Sequence, residues 1–182
     1  MKEIYILLTR TNTVLANLIG YITKDPYSHS SISLNRELTE LYSFGRLKKN
    51  NPFLGGFIKE KFVNSIYDKN LTCNSALYSI SITEEQYDKL YNEIEKFKNS
   101  PVKLRYNTIG LLCIVLNIEY KRKTKYYCAE FVGEVLKRAE VLPKEFSPQK
   151  VKPSDFAKMP ISKLVTKGQL KQIVQEAEQY KK

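Results

Sequence analysis

The chain has 182 residues, 42% hydrophobic and 27% charged, which is room for one domain with the balance of a soluble globular protein and excludes disorder as its main state. Thirty basic residues against 19 acidic ones leave a formal charge of +11, a field that favours anionic partners such as nucleic acid, acidic membrane surfaces or cell-wall polymers. Lysine is spread along the whole chain, so the charge alone selects none of them.

In chain order, Ile4 to Thr9 is aliphatic without alternation, which predicts a strand buried on both faces. Val14, Leu15, Leu18, Ile19 and Ile22 recur at helical spacing behind Asn12 or Thr13 as N-cap, and Asp25-Pro26 ends that helix. Ser30 to Leu34 alternates polar and apolar, and after Asn35-Arg36-Glu37 a second strand runs through Leu41 to Phe44, giving a hairpin. Gly45 to Lys59, with Asn-Asn-Pro and Gly-Gly, reads as a long surface loop of the kind that serves as a lid. Leu77 to Ile82 is a third strand. Thr83-Glu84-Glu85-Gln86 is a capping box for a helix with Tyr87, Leu90, Ile94 and Phe97 on one face.

Tyr106 to Ile118 predicts a further helix, weakened by Gly110. From Cys128 onward, Phe131, Val132, Val135, Leu136 and Ala139 form an amphipathic stripe that ends before Pro143. Pro148 and Pro153 punctuate an extended tail, and a last helix spans about Gln169 to Tyr180. The sum is α+β, a small antiparallel sheet packed with helices in a single domain over 1–182. The longest apolar run, Ile109 to Leu116, falls far short of the roughly 20 residues that cross a bilayer. The N-terminal run lacks a signal-peptide core and cleavage site. Cys73, Cys113 and Cys128 cannot all pair, which points to a reducing compartment. The expectation is a cytoplasmic protein without a transmembrane segment.

Chemistry concentrates at two addresses. His29, the single histidine, follows a helix-breaking turn and opens a polar-faced strand. Cys128 lies at the first turn of an amphipathic helix, where unpaired backbone N–H groups and the helix dipole favour a thiolate. A thiolate at a helix start with an imidazole nearby is the working pair of papain-like catalysis. Cys113, inside Leu-Leu-Cys-Ile-Val, reads as a buried apolar residue. A Cys₃His zinc site from Cys73, Cys113, Cys128 and His29 lacks any close Cys pair, and no Gly-rich phosphate loop is present, so no metal or cofactor is expected. Glu130 and Glu134 read as a solvated face supporting Lys137 and Arg138.

Three blocks in this order, Tyr27-Ser28-His29-Ser30-Ser31-Ile32, Leu41-Tyr42-Ser43-Phe44-Gly45-Arg46 and Tyr127-Cys128-Ala129-Glu130-Phe131-Val132, resemble the permuted papain-like amidases, the YiiX-type branch of the NlpC-like cysteine hydrolases. The resemblance covers roughly residues 3–165, with alanine where the family pattern has serine after the cysteine. It implies a circularly permuted, barrel-like papain fold and a cysteine hydrolase or acyltransferase acting on an amide, ester or thioester bond of a peptide, lipid or other acyl substrate. Cys128 would attack the acyl carbon, His29 would activate it, and the Cys128 N–H would face the oxyanion. The family also places a polar residue where it orients the imidazole. Here the hairpin register decides: pairing Asn35 with Leu38 sets His29 opposite Phe44 with Tyr42 and Glu40 on its face, whereas pairing Leu34 with Leu38 sets it opposite Ser43. Glu40, Tyr42 and Ser43 therefore stand as alternatives. The competing reading is a non-catalytic basic module for nucleic acid or an anionic surface, with Cys128 structural.

Overall fold

The structure is a computed structural model that describes residues 1–10, 25–48, 51–62, 71–116 and 118–180. The helix expected over Val14 to Ile22 lies outside the described residues. Six strands form one antiparallel sheet in the order β4-β3-β2-β1-β5-β8: β1 (Lys2–Thr9), β2 (His29–Ser33), β3 (Leu41–Lys48), β4 (Asn51–Lys59), β5 (Asn74–Ile82) and β8 (Ser162–Gln169). A second, parallel pair joins β6 (Arg105–Tyr106) to β7 (Lys125–Tyr126). Four α-helices occur among the described residues: α1 (Glu84–Lys98), α2 (Thr108–Val115), α3 (Cys128–Arg138) and α4 (Leu170–Glu178). The class is α+β. The main sheet runs open, with no pairing of β4 to β8 among the described residues, in place of the expected barrel-like closure.

β1 carries the fold's centre. It pairs with β2 on one side and β5 on the other, and every residue from Ile4 to Thr9 is buried. Ile4, Ile6 and Leu8 face one core with Leu90, Ile94 and Phe97 of α1 and Phe131, Val132, Val135 and Leu136 of α3. Tyr5 and Leu7 face a second core closed by Leu170, Ile173 and Ala177 of α4. An unalternating aliphatic strand is what two covered faces require. An aromatic cluster binds α1, α3 and the hairpin: Phe131 lies 5.1 Å from Phe97 and 5.4 Å from Phe44, centroid to centroid.

The capping box of α1 forms as expected, with the Thr83 hydroxyl accepting from the Gln86 N–H at 3.1 Å and the Gln86 side chain accepting from Thr83 N–H at 3.0 Å. In α2, Asn107 caps the Gly110 N–H at 3.0 Å. A Cβ on Gly110 would lie 2.2 Å from the Asn107 amide nitrogen, so the glycine that seemed to weaken this helix makes its cap fit. α3 is buried at every residue from Cys128 to Leu136. Glu130 and Glu134 are thus inside, where a solvated face was expected, because sheet, α1 and the 3₁₀ turn at Pro148–Lys150 surround the helix. Cys113 is half-buried, in a helix that turns Leu111 and Ile114 inward. The proline-marked tail folds into 3₁₀ turns at Pro148–Lys150 and Pro153–Lys158, then enters the sheet as β8.

Two expectations around the hairpin change. Gly45 to Lys59 is no loop: β3 continues to Lys48 and β4 returns from Asn51, paired Ser43 to Ile58, Gly45 to Gly56 and Arg46 to Gly55. The β2–β3 register matches neither alternative. Ile32 pairs with Tyr42 and Ser33 with Leu41, which carries His29 opposite Gly45. The connection sets this register: Asn35 Oδ1 accepts from the N–H groups of Thr39 and Glu40 at 3.1 and 3.2 Å, and buried Leu38 takes a left-handed φ of 55°. Such a five-residue bend demands an unusual backbone at a leucine, which hairpin rules do not anticipate.

Candidate active site

β2 is a polar strand that is buried throughout, so each of its side chains needs an internal partner. His29 and Ser31 lie on one face by alternation. Glu60, immediately after β4, is tied to the sheet by its N–H donating to the Leu41 carbonyl at 2.8 Å. From there its carboxylate reaches both: His29 Nε2 lies 2.7 Å from Oε1, and the Ser31 hydroxyl donates to Oε2 at 2.7 Å. The Glu60 side chain is fully buried and that of His29 only 9% exposed. Gly45 lies beside this arrangement; a Cβ there would crowd Ile58 Cδ1 at 2.7 Å and only touch His29 Cε1, at 4.0 Å.

Glu60 is the carboxylate that meets the imidazole. Of the three sequence candidates, Glu40 bonds Lys59 and Tyr42, Tyr42 bonds Glu40, and Ser43 donates to the Ser30 carbonyl at 2.7 Å. They differ from expectation because the register runs past both alternatives considered. Glu60 itself sits between Lys59 and Lys61, one residue past the stretch read as a loop. Nothing in that context marks it as a buried acid.

Cys128 opens α3 and is 2% exposed. Its thiol interacts with His29, and each group moves the other's titration. Burial acts first on the imidazole, pushing its pKa down, but the Glu60 charge, the Cys128 hydrogen bond and charge, and the Glu60 hydrogen bond together raise it to about 10. Burial pushes the thiol up, yet the His29 hydrogen bond and charge, aided by backbone hydrogen bonds from Ser30 and Ala129, hold it below the ordinary thiol range. Both shifts run in the direction of a thiolate beside an imidazolium.

Tyr106, at the end of β6, is a third neighbour that the sequence reading passed over as a helix start. Burial raises its phenol pKa well above the ordinary value, and so do the charge and hydrogen bond of Cys128; a further hydrogen bond joins it to the Cys128 backbone. The phenol oxygen therefore stands where the thiol and the first N–H of α3 both reach. On the other side of that helix start, Glu130 Oε2 accepts from Tyr127 N–H at 3.3 Å and Asn107 Nδ2 at 3.2 Å, and burial raises its pKa to about 7. A slot of about 20 Å³ lined by Tyr27, Ser28, Tyr127, Cys128 and Pro153 adjoins this helix start, on the order of the space one water needs. Asp25, which accepts from the Ser154 N–H and hydroxyl at 3.2 and 2.8 Å, pins its rim.

Cys73 lies away from this group, 3.5 Å from the Ser75 hydroxyl. Among the described residues no three His, Cys, Asp or Glu side chains gather as a metal site. No helix among them is long and apolar enough to cross a membrane. No family model matches the chain, and no curated protein matches it.

Proposed function

We propose that the chain is a cysteine hydrolase or acyltransferase acting on an amide, ester or thioester bond, with a permuted papain-like arrangement of its parts. What supports this reading is Glu60, a buried carboxylate 2.7 Å from His29 Nε2, together with the mutual pull of His29 and Cys128, which raises the imidazole and lowers the thiol. With Nε2 turned to Glu60, Nδ1 is left for the sulfur.

In this reading the Cys128 thiolate attacks the acyl carbon, forming a C–S bond, and the His29 imidazolium gives its proton to the departing amine, alcohol or thiol as the C–X bond breaks. Water, or an acceptor hydroxyl, amine or thiol, then attacks the thioester while His29 takes its proton, and the product leaves with Cys128 restored. Glu60 keeps the ring oriented and favours its charged form. The Cys128 N–H and the Tyr106 phenol offer donors to the tetrahedral oxyanion.

The competing reading, a basic binding module with an inert Cys128, makes the opposite forecast for thiol reactivity. Cys113 is half-buried and Cys128 is buried, so accessibility alone orders their alkylation Cys113 first. Iodoacetamide at pH 7, read by peptide mass spectrometry, should modify Cys128 first. Faster modification of Cys113 rules out an activated Cys128.

A further inference from the structure

Beyond Tyr106 lies a recess that bears on this site. It holds about 410 Å³ between the β6–β7 pair, the start of α2 and the β4 strand. That is the size of a small-molecule site. Lys103, Arg105, Arg122 and Lys125 line it, with Tyr106 and Tyr120, and no carboxylate is among its lining residues.

These four cations differ from the basic residues that the fold ties to acids. Ion pairs hold Lys89, Lys96, Lys98 and Arg138 to glutamates, whereas none joins Lys103, Arg105, Arg122 or Lys125 to an acid among the described residues. Arg122 is steadied instead by the Tyr120 ring, 5.3 Å from its guanidinium carbon. Four like charges converging on one recess repel one another and raise the local anion concentration. Arginine forks match carboxylate and phosphate oxygens in pairs. A half-open recess of this volume takes one compact anion, whereas a polymer needs cations strung along a groove.

We infer that this recess binds the anionic end, a carboxylate or phosphate, of the acyl substrate whose scissile bond reaches Cys128 past Tyr106. This rests on the hydrolase reading for the word substrate, while the anion site itself does not. The Tyr106 side chain is the shared wall: one part lines the recess and its phenol touches the sulfur.

The test titrates inorganic pyrophosphate into the protein by calorimetry. Wild type and Cys128→Ala should bind one equivalent alike. Arg105→Gln/Arg122→Gln should bind at least about tenfold more weakly, the loss expected from two charge-assisted contacts. Lys163→Gln/Lys167→Gln, an equal charge change on exposed positions of β8, should stay within about twofold. Absence of saturable binding, or equal weakening by both double variants, overturns the site, as does a single-stranded oligonucleotide that displaces pyrophosphate and still binds the arginine variant. A second arm compares p-nitrophenyl acetate with p-nitrophenyl hydrogen succinate: the anionic ester should be preferred through KM, and Arg105→Gln/Arg122→Gln should erase that preference. Turnover of neither ester counts against the hydrolase reading, and the pyrophosphate titration on Cys128→Ala still decides the anion site.

Discussion

Replacing Glu60 by glutamine tests the relay at its least expected member. The amide keeps the shape, so Oε1 still accepts from His29 Nε2, but the buried negative charge is gone. In the native protein the imidazole titrates near 10 against an ordinary 6.5, a preference for the imidazolium of roughly 5 kcal/mol at 1.36 kcal/mol per pH unit. The Glu60 charge leads the raising influences, ahead of Cys128, and burial opposes both. Assigning Glu60 about half, on the order of 2 kcal/mol, makes the ion pair about 30-fold less favoured in Glu60→Gln. The thiol then loses part of its charged neighbour and climbs back toward its ordinary range. The assay is the pH dependence of iodoacetamide alkylation at Cys128, with thiolate absorbance as a second reading. Near neutrality the variant should react up to that much more slowly, and above about pH 10, where a thiol ionises unaided, it should match wild type. Superimposed profiles for the two proteins would refute the argument that Glu60 sets the charge state of the site.

Three further outcomes follow from the same geometry. A histidine raised from 6.5 to about 10 contributes stability that is full below pH 6.5 and lost as pH rises through 10; urea unfolding should therefore show wild type losing its advantage over His29→Gln across that window. Glu130 is the opposite case, since an acid raised to about 7 weighs on the fold increasingly between pH 4.5 and 7. Glu130→Gln should gain on wild type by up to roughly 3 kcal/mol between pH 5 and pH 8, and parallel urea midpoints would contradict this. In Gly55→Ala the new Cβ would lie 2.7 Å from Tyr106 Cβ and 3.0 Å from the Gly45 carbonyl, neither of which can swing aside. Thermal unfolding should show a loss of about 1–3 kcal/mol, with altered Cys128 alkylation as Tyr106 withdraws.

Local signals in the sequence were strong wherever a short stretch determines its own structure. The run Ile4 to Thr9 announces a doubly covered strand, Thr83 to Gln86 writes its own cap, and the stripe after Cys128 fixes the start of α3. His29 and Cys128 were visible because each has a distinctive local address. Glu60 was not, because its role depends on contacts 31 and 29 residues away, with His29 and Ser31. Those contacts exist only once a bend at Asn35 to Thr39 and a second hairpin have set the register. Gly45, Gly55 and Gly56 imitate loop punctuation, yet Gly45 and Gly55 are small because Ile58 and Tyr106 press against the strands there. β8 escaped notice for a different reason: as an edge strand with Lys163, Leu164 and Lys167 exposed, it presents no regular alternation.

The attachment of the three relay members gives the site a particular mechanical character. His29 on β2 and Glu60 after β4 are joined through β3 by consecutive ladders of main-chain hydrogen bonds, so they move as one body. Cys128 rides on α3, which meets that body through packed side chains such as Phe131 against Phe44. Ladders resist shear, whereas packed apolar surfaces slide by small steps. A displacement of the helix along the sheet would separate sulfur from imidazole while leaving carboxylate and imidazole in register. Cys128 is therefore the member that thermal or chaotropic loosening uncouples first, and on the hydrolase reading chemical competence would fade at the helix–sheet seam before the sheet itself gives way.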